Sequence, residues 1–223
     1  MKAIILKEGG GNENLVMTDL PVPVPKRDEV LVKVKAISVN PVDIKTRKGL
    51  GLYNELKKDG QVILGWDIAG EVVQAGEDVT TLEEGDEVFG MVSFPGHGKA
   101  YAEYVAVPAS HLAEKPELVS TQEAAAGTLA ALTAWQVLID EAKLQAGEKI
   151  LIHAAAGGVG HFAVQIAKYL GAFVIGTASE ANYDFVKELG ADDFVDYTKE
   201  KFEEIVKDAD VVFDTVGRDN PLR

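Results

Sequence analysis

Cysteine is absent from this chain of 223 residues, which removes disulfides, thiolate nucleophiles and any cysteine-based zinc site in one step. Basic residues are scarce beside acidic ones, 22 against 36, for a formal charge of −14. Phosphate backbones are held by clustered Lys and Arg, so this balance excludes nucleic acid as a partner. No apolar run approaches the ~20 residues that cross a bilayer, and neither an internal repeat nor a low-complexity tract is present. The opening Met1-Lys2-Ala3-Ile4-Ile5-Leu6-Lys7 returns to charge too soon for a signal peptide, which favours the cytoplasm and no membrane attachment.

What remains is the composition of an ordinary folded protein, 47% hydrophobic and 26% charged, with length for one large domain or two small ones. Glu29-Val30-Leu31-Val32-Lys33-Val34-Lys35-Ala36-Ile37 alternates polar and apolar residues at the period of a half-buried strand. The preceding Pro21-Val22-Pro23-Val24-Pro25 can be neither a central strand nor a helix interior. Further β-like runs at Ile68–Gln74, Glu87–Val92 and Tyr101–Val107, punctuated by glycines, predict an all-β, barrel-like domain over residues 1–120.

The texture changes near Ser120. Residues 121–144 are rich in Ala, Leu and Gln, predicting one or two helices, with Ser120 and Glu123 spaced as a capping box. From Lys149 the pattern is β then α, repeated. Ile150-Leu151-Ile152 reads as a strand, and a helix follows with Phe162, Ile166 and Leu170 on one face, stopped by Gly171. Phe173–Thr177 is a second strand, followed by a helix that turns Phe185, Val186 and Leu189 inward. Phe194-Val195 is a third, Thr198 is placed to cap a helix running to Val206, and Val211-Val212-Phe213 is a fourth. Strands in the order 3-2-1-4 open a doubly wound parallel sheet, which in full has six, over residues 121–223. An apolar fourth strand left as an edge is a liability that folded proteins cover, so the chain reads as a fragment or truncated form.

Between the first parallel strand and its helix stands Ala154-Ala155-Ala156-Gly157-Gly158-Val159-Gly160. Glycines at Gly157, Gly158 and Gly160, with Val159 among them, permit a tight turn and a close backbone approach to a pyrophosphate at the helix N-terminus. The second strand ends in Gly176-Thr177-Ala178-Ser179, without the Asp or Glu that usually accepts from the ribose 2′-hydroxyl of NAD. Ser179 and Asn182 are placed to donate to a 2′-phosphate, so NADP(H) is the expected cofactor. Against it, Glu180 lies nearby, and no Lys or Arg occurs between Lys168 and Lys187.

Gly70-Glu71-Val72-Val73-Gln74-Ala75-Gly76 with Gly85-Asp86-Glu87-Val88, then Ala100-Tyr101-Ala102-Glu103-Tyr104, Leu132-Thr133-Ala134-Trp135 and the glycine-rich turn, resemble the medium-chain dehydrogenase/reductase superfamily in register along nearly the whole chain. The resemblance points to its zinc-free quinone oxidoreductase and enone reductase branch. It implies a GroES-like β-barrel catalytic domain and an incomplete Rossmann domain, with substrate and nicotinamide meeting in a cleft between them, and a homodimer for the intact protein. In the alcohol dehydrogenase branch zinc ligands would stand at two places, here Asn40 and Gly65-Trp66-Asp67, and neither keeps them. His97, His153 and His161 have no ligand partner at metal spacing, so no metal is expected.

Without a Lewis acid, reduction of an alkene or quinone that delocalises the incoming charge is easier than alcohol oxidation. The resemblance therefore implies NADPH-dependent reduction of a small conjugated carbonyl compound or quinone. Asn40, Asp43 and Lys45 match the nicotinamide-side wall of zinc-free relatives, Asn40 as a donor to carboxamide or substrate and Lys45 as the cation for a developing enolate. Alternatively Asp43 orders the loop and pairs with Lys45. Tyr53 is either a proton donor or a packing residue. Thr133 matches a nicotinamide-contacting threonine, Tyr197 an adenosine-side tyrosine, and Trp135 reads as core. The competing readings are a non-catalytic NADP(H)-binding protein of the same fold and an inactive fragment.

Overall fold

The computed structural model describes residues 1–217, and the chain divides into two compact units, Met1–Leu129 and Ala130–Arg223.

In the first unit, β1 (Lys2–Leu6), β2 (Leu15–Asp19) and β4 (Val62–Ile63) form an antiparallel sheet of order β2-β1-β4. A larger antiparallel sheet takes β3 (Glu29–Ile37), β5 (Asp67–Ala75), β6 (Glu87–Met91), β7 (Tyr104–Pro108) and β8 (Ala113–Glu114) in the order β7-β3-β5-β6-β8. Register shifts at Leu31/Val32 and Val34/Ala36 bend β3, because an extra residue on one strand of a pair curves it. Val30, Val32, Ile68, Val72, Val88 and Val107 of this sheet form one buried cluster, each contributing roughly 1.5–3 kcal/mol by leaving water. The proline-rich stretch lies outside helix and strand, as its missing N–H groups require.

Two short helices were not legible as such. Asn40-Pro41-Val42-Asp43 reads as a loop, yet α1 (Pro41–Arg47) starts there, with Pro41 at its first position and Asn40 and Asp43 as a capping box. After it, α2 (Tyr53–Lys58) lays Tyr53 and Leu56 against Leu6, Val62, Leu64 and Trp66.

The expected capping box opens α3 (Thr121–Trp135): Ser120 N–H donates to Glu123 Oε2 (3.0 Å) and Glu123 N–H to Ser120 Oγ (3.2 Å). The helix then widens into a π-turn over Gln136–Glu141, where Ala142 N–H reaches back to Val137 O at 2.8 Å. Trp135, expected in the core, is 45% exposed; Ala134 and Leu138 carry the buried face beside it.

The second unit is the doubly wound pattern. Its strands β9 (Lys149–Ile152), β10 (Phe173–Ala178), β11 (Asp193–Asp196) and β12 (Val211–Phe213) are all parallel in the order β11-β10-β9-β12. One face is covered by α4 (Gly160–Tyr169) and α5 (Tyr183–Glu188), the other by Phe202 of the one-turn α6 (Phe202–Ile205) with Val206 and Ala209. The fully buried side of α4 is made of small residues, Gly160, Ala163, Val164 and Ala167, while Phe162, Ile166 and Leu170 flank it half-buried. Phe185 does not turn inward with Val186; it is 43% exposed, its ring centroid 6.4 Å from that of His161. Thr198 caps no helix, since its N–H and hydroxyl both donate to Asp196 Oδ1 (3.0 and 2.7 Å) and the next helix starts only at Phe202. At the far end of α4, Lys168 clasps Asp192, whose Oδ2 also accepts from Val174 N–H at 2.7 Å.

Candidate functional site

The turn after β9 is built around one carbonyl. Ala154 adopts a left-handed conformation (φ 48°), a strained choice for a residue with a side chain, and Ala155 N–H holds it to β10 through Thr177 O at 2.9 Å. Ala154 O accepts from Gly157 N–H at 2.8 Å. A β-carbon on Gly160 would fall 2.1 Å from that same oxygen, so the third glycine is dictated by packing. Gly158 differs, for a β-carbon there would meet nothing within 4 Å. The open side of the turn is therefore the side of Gly158, where a ligand's phosphates can reach the backbone. The first helical bond of α4 is His161 N–H to Gly157 O (3.0 Å), and the N–H groups before it are the ones a helix leaves unpaired. His161 Nδ1 contacts the same Gly157 O at 2.9 Å, so this histidine belongs to the turn. The donor set and the open cradle fit a dinucleotide pyrophosphate.

At the ends of β10 and β11 the structure brings together Ser179, Asn182 and Tyr197. Asn182 Nδ2 donates to Ser179 Oγ (3.1 Å), which leaves the serine hydroxyl proton to point elsewhere, and Tyr197 is exposed with its N–H on Ala178 O (3.3 Å). A residue that sequence reasoning passed over joins them: Lys199 Nζ is paired with Glu180 and lies 3.8 Å from Asp196 Oδ2. Its signal is that parallel pairing of β10 with β11 sets the segments after both strands side by side. Thr133 is half-exposed on α3. His153, just past β9, is buried with Nδ1 3.1 Å from Thr177 Oγ1 and its ring edge-on to Phe202. Burial pushes its pKa below the ordinary value, only partly opposed by Asp214.

The first unit holds a second constellation, around Asn40. Asp67 and Asp43 are 0% and 2% exposed. Ser38 Oγ donates to Asp67 Oδ2 at 2.6 Å, and Asn40 Nδ2 donates to Ser38 Oγ and to Asp67 Oδ2, both at 2.8 Å. The orientation follows from chemistry, because an ionised carboxylate and a hydroxyl that has already given its proton can only accept. The amide nitrogen of Asn40 is thus turned toward Ser38 and Asp67, within the protein. Asn40 Oδ1 accepts from Asp43 N–H in the cap of α1 and keeps one lone pair, so what it can offer a ligand is an acceptor. Asn40 N–H donates to Asp43 Oδ2 at 2.7 Å. Burial first, and the nearby charge of Asp67, raise Asp43 to about 6 against the pull of backbone N–H groups. The phenol of Tyr101 is also pushed up, by burial and then by Asp43 and Asp67. Asp43 Oδ1, Asp67 Oδ1 and Thr46 Oγ1 are buried without a hydrogen-bond partner among the described residues.

Lys45 and Tyr53 do not enter this network. Lys45 is exposed, and among the described residues it forms no ion pair, so the alternative in which it holds Asp43 is replaced by the cap to Asn40. Tyr53 is buried, and its hydroxyl accepts from Lys57 Nζ at 3.0 Å, a hydrogen bond that lowers the phenol's pKa. At the positions named for zinc ligands the side chains have other partners. Trp66 is buried and its Nε1 donates to Gly96 O at 2.7 Å, while Asp67 Oδ2 is saturated by Ser38 and Asn40. Among the described residues no three His, Cys, Asp or Glu side chains are grouped to hold a metal, and no helix is long and apolar enough to cross a membrane.

Comparison with known proteins places these two units. Residues 26–117 match the alcohol dehydrogenase GroES-like domain and residues 158–223 the family described as zinc-binding dehydrogenase. The quinone-oxidoreductase homolog, chloroplastic, of Spinacia oleracea is 44% identical over 194 residues, covering 85% of this chain and 58% of that protein. The NADPH-dependent alkenal/one oxidoreductase, chloroplastic, of Arabidopsis thaliana is 39% identical over 225 residues, covering 97% of this chain and again 58% of the relative. The chain thus spans less than two thirds of these relatives. The solved quinone oxidoreductase of Coxiella burnetii superposes with a TM-score of 0.90 at 42% identity, over 98% of this chain and 69% of that one. With a GroES-like β domain followed by the first four strands of a Rossmann sheet, the chain belongs to the medium-chain dehydrogenase/reductase superfamily, among the quinone oxidoreductases and enone reductases.

Proposed function

We propose that the intact protein is an NADP(H)-dependent oxidoreductase that reduces quinones or α,β-unsaturated carbonyl compounds without zinc. The observation that carries this reading is the turn at 154–160, closed by packing at Gly160 and open at Gly158. Bound NADPH would supply a hydride. The chain's part is to hold it: the N–H groups at the start of α4 toward the pyrophosphate, Ser179, Asn182 and Tyr197 toward the adenosine end, and Thr133 toward the nicotinamide. Asn40, fixed by Ser38 and Asp67, presents Oδ1 as an acceptor, suited to a carboxamide N–H. Lys45, exposed and unpaired by any ion pair among the described residues, is the cation available to a developing enolate.

Zinc independence is supported by the indole of Trp66, and by an Asp67 carboxylate whose Oδ2 is already held by Ser38 and Asn40, where ligands would stand. With no Lewis acid, the acceptor must stabilise most of the incoming charge itself, as an enone or quinone does. The proposed substrate is a small molecule, the assembly a homodimer, and the acidic balance leaves nucleic acid no part. The test is NADPH oxidation by the intact protein with a panel of quinones, enones and simple ketones. Turnover of the first two classes, insensitive to a chelator, is expected. Binding of NADPH without turnover of any of them would favour the non-catalytic alternative, and chelator-sensitive oxidation of simple alcohols would overturn the zinc-free assignment.

A further inference from the structure

We infer that Lys199 is the residue by which this chain distinguishes a nucleotide bearing a 2′-phosphate from one that lacks it, a reading that rests on NADP(H) binding at the 154–160 turn. In dinucleotide folds the end of the second strand meets the adenosine ribose. Here that end carries Ser179 and then Glu180, and a bare carboxylate there would repel a phosphate. It is not bare: Lys199, from the segment after β11, sits on it. The hollow beside them, about 580 Å³, is lined by Glu180, Asp184, Asp196 and Glu200, with Lys199 its single cation.

The neighbouring cations are engaged elsewhere. Lys168 is held by Asp192, Lys187 Nζ donates to Asp192 O at 2.7 Å, and Lys201 is 3.3 Å from Glu204. Only Lys199 faces Glu180 among the described residues. A 2′-phosphate dianion competes with the Glu180 carboxylate for this ammonium, and it offers more charge and more acceptor oxygens. Ser179, accepting from Asn182, still has a hydroxyl proton for the same phosphate. The pair is exposed, so it adds little to folding, and its removal reads out on binding. Glu180 acts as the stand-in that holds Lys199 in place when no phosphate is bound and yields it when one arrives.

The test is titration of the full chain with NADPH and NADH by nicotinamide fluorescence, with competition by 2′,5′-ADP and 5′-AMP. Lys199→Ala should weaken NADPH and 2′,5′-ADP on the order of tenfold, as expected for loss of a hydrogen bond to a charged group, and leave NADH and 5′-AMP unchanged. Lys199→Arg should keep the preference, and Glu180→Gln should tighten NADPH severalfold by removing the competitor. An unchanged ratio in Lys199→Ala, with NADPH still bound by the parent chain, overturns the role of Lys199 alone. A parent chain that binds neither dinucleotide overturns the cofactor reading and this inference with it.

Discussion

The carbonyl oxygen of Ala154 lies 2.1 Å from where a β-carbon on Gly160 would begin, whereas Gly158, two residues away, faces open space. Gly160 therefore answers to packing, while Gly158 is free of that demand and is the one proposed to serve a ligand. Gly160→Ala should lower the urea midpoint of unfolding, costing roughly 1–3 kcal/mol as an overpacked site. Gly158→Ala should leave that midpoint nearly unchanged and weaken NADPH. Equal effects of the two substitutions on stability would show that both glycines serve packing.

Asp43 should make the fold less stable as pH rises. Its carboxyl, lifted to about 6 by burial, binds a proton in the folded state that the unfolded chain has already released above its ordinary value. The stabilisation is present below the ordinary carboxylate range and is lost as pH rises through about 6. A shift of about two units corresponds to ~3 kcal/mol at most. Asp43→Asn keeps an acceptor for Asn40 N–H and should flatten this dependence. Denaturant midpoints taken on either side of the transition measure it; parallel curves for parent and variant would contradict the assignment.

His153 works in the opposite direction. Burial holds its imidazole neutral below the usual range, so the unfolded state takes up a proton first on acidification. Its contribution is intact above about 6.5, the ordinary value, and falls away as pH drops toward the depressed one. His153→Gln should remove this acid limb while costing the contact to Thr177. Nuclear magnetic resonance titration of His153 that follows the ordinary curve would refute the depression.

Substitutions around Asn40 should separate holding from chemistry. Asp67→Ala removes the acceptor shared by the amide of Asn40 and the hydroxyl of Ser38, leaving only the contact between those two. In the intact protein it should lower kcat with substrate and raise KM for NADPH together, since Oδ1 of Asn40 is no longer aimed. Lys45→Ala, on the surface, should lower kcat about tenfold, less than a buried oxyanion donor would cost, with NADPH affinity and thermal stability unchanged. A Lys45→Ala enzyme of full activity across enones and quinones would remove that lysine from the reaction.

Much of the fold was legible because its signals are local. Alternation in Glu29–Ile37, the proline stretch and the β-then-α rhythm after Lys149 each state a backbone preference in a few residues, and strand order followed from the rhythm. Strands β1 and β2 were missed because Ile4-Ile5-Leu6 and Leu15-Val16 lack alternation and gain their pairing from each other. Helix α1 was hidden because its cap is made by an amide and a carboxylate that look like loop residues until Pro41 sets the first turn. The glycine-rich turn was readable as a unit, but which glycine serves the ligand depends on the position of a single carbonyl. Asn40, Asp43 and the adenosine-side residues were found by likeness. Their contacts with Asp67 and Lys199 were not, since these reach Asn40 and Glu180 across 27 and 19 residues of sequence, and Ser38 joins the network through Asp67, 29 residues on.

The carboxylates lining the hollow beside Lys199 also bear on how fast a nucleotide arrives. A chain of charge −14, with four acids around the hollow proposed for the adenosine end of the cofactor, meets a polyanion against an uphill potential until the last few ångströms. Diffusional encounter with NADPH should therefore be slower at low ionic strength and quicken as salt shortens the reach of that repulsion. Departure, governed by the short-range grip of Lys199, should quicken as well. Affinity then changes little with salt while both rates rise, a kinetic signature of a site whose surroundings oppose entry and whose single cation governs release.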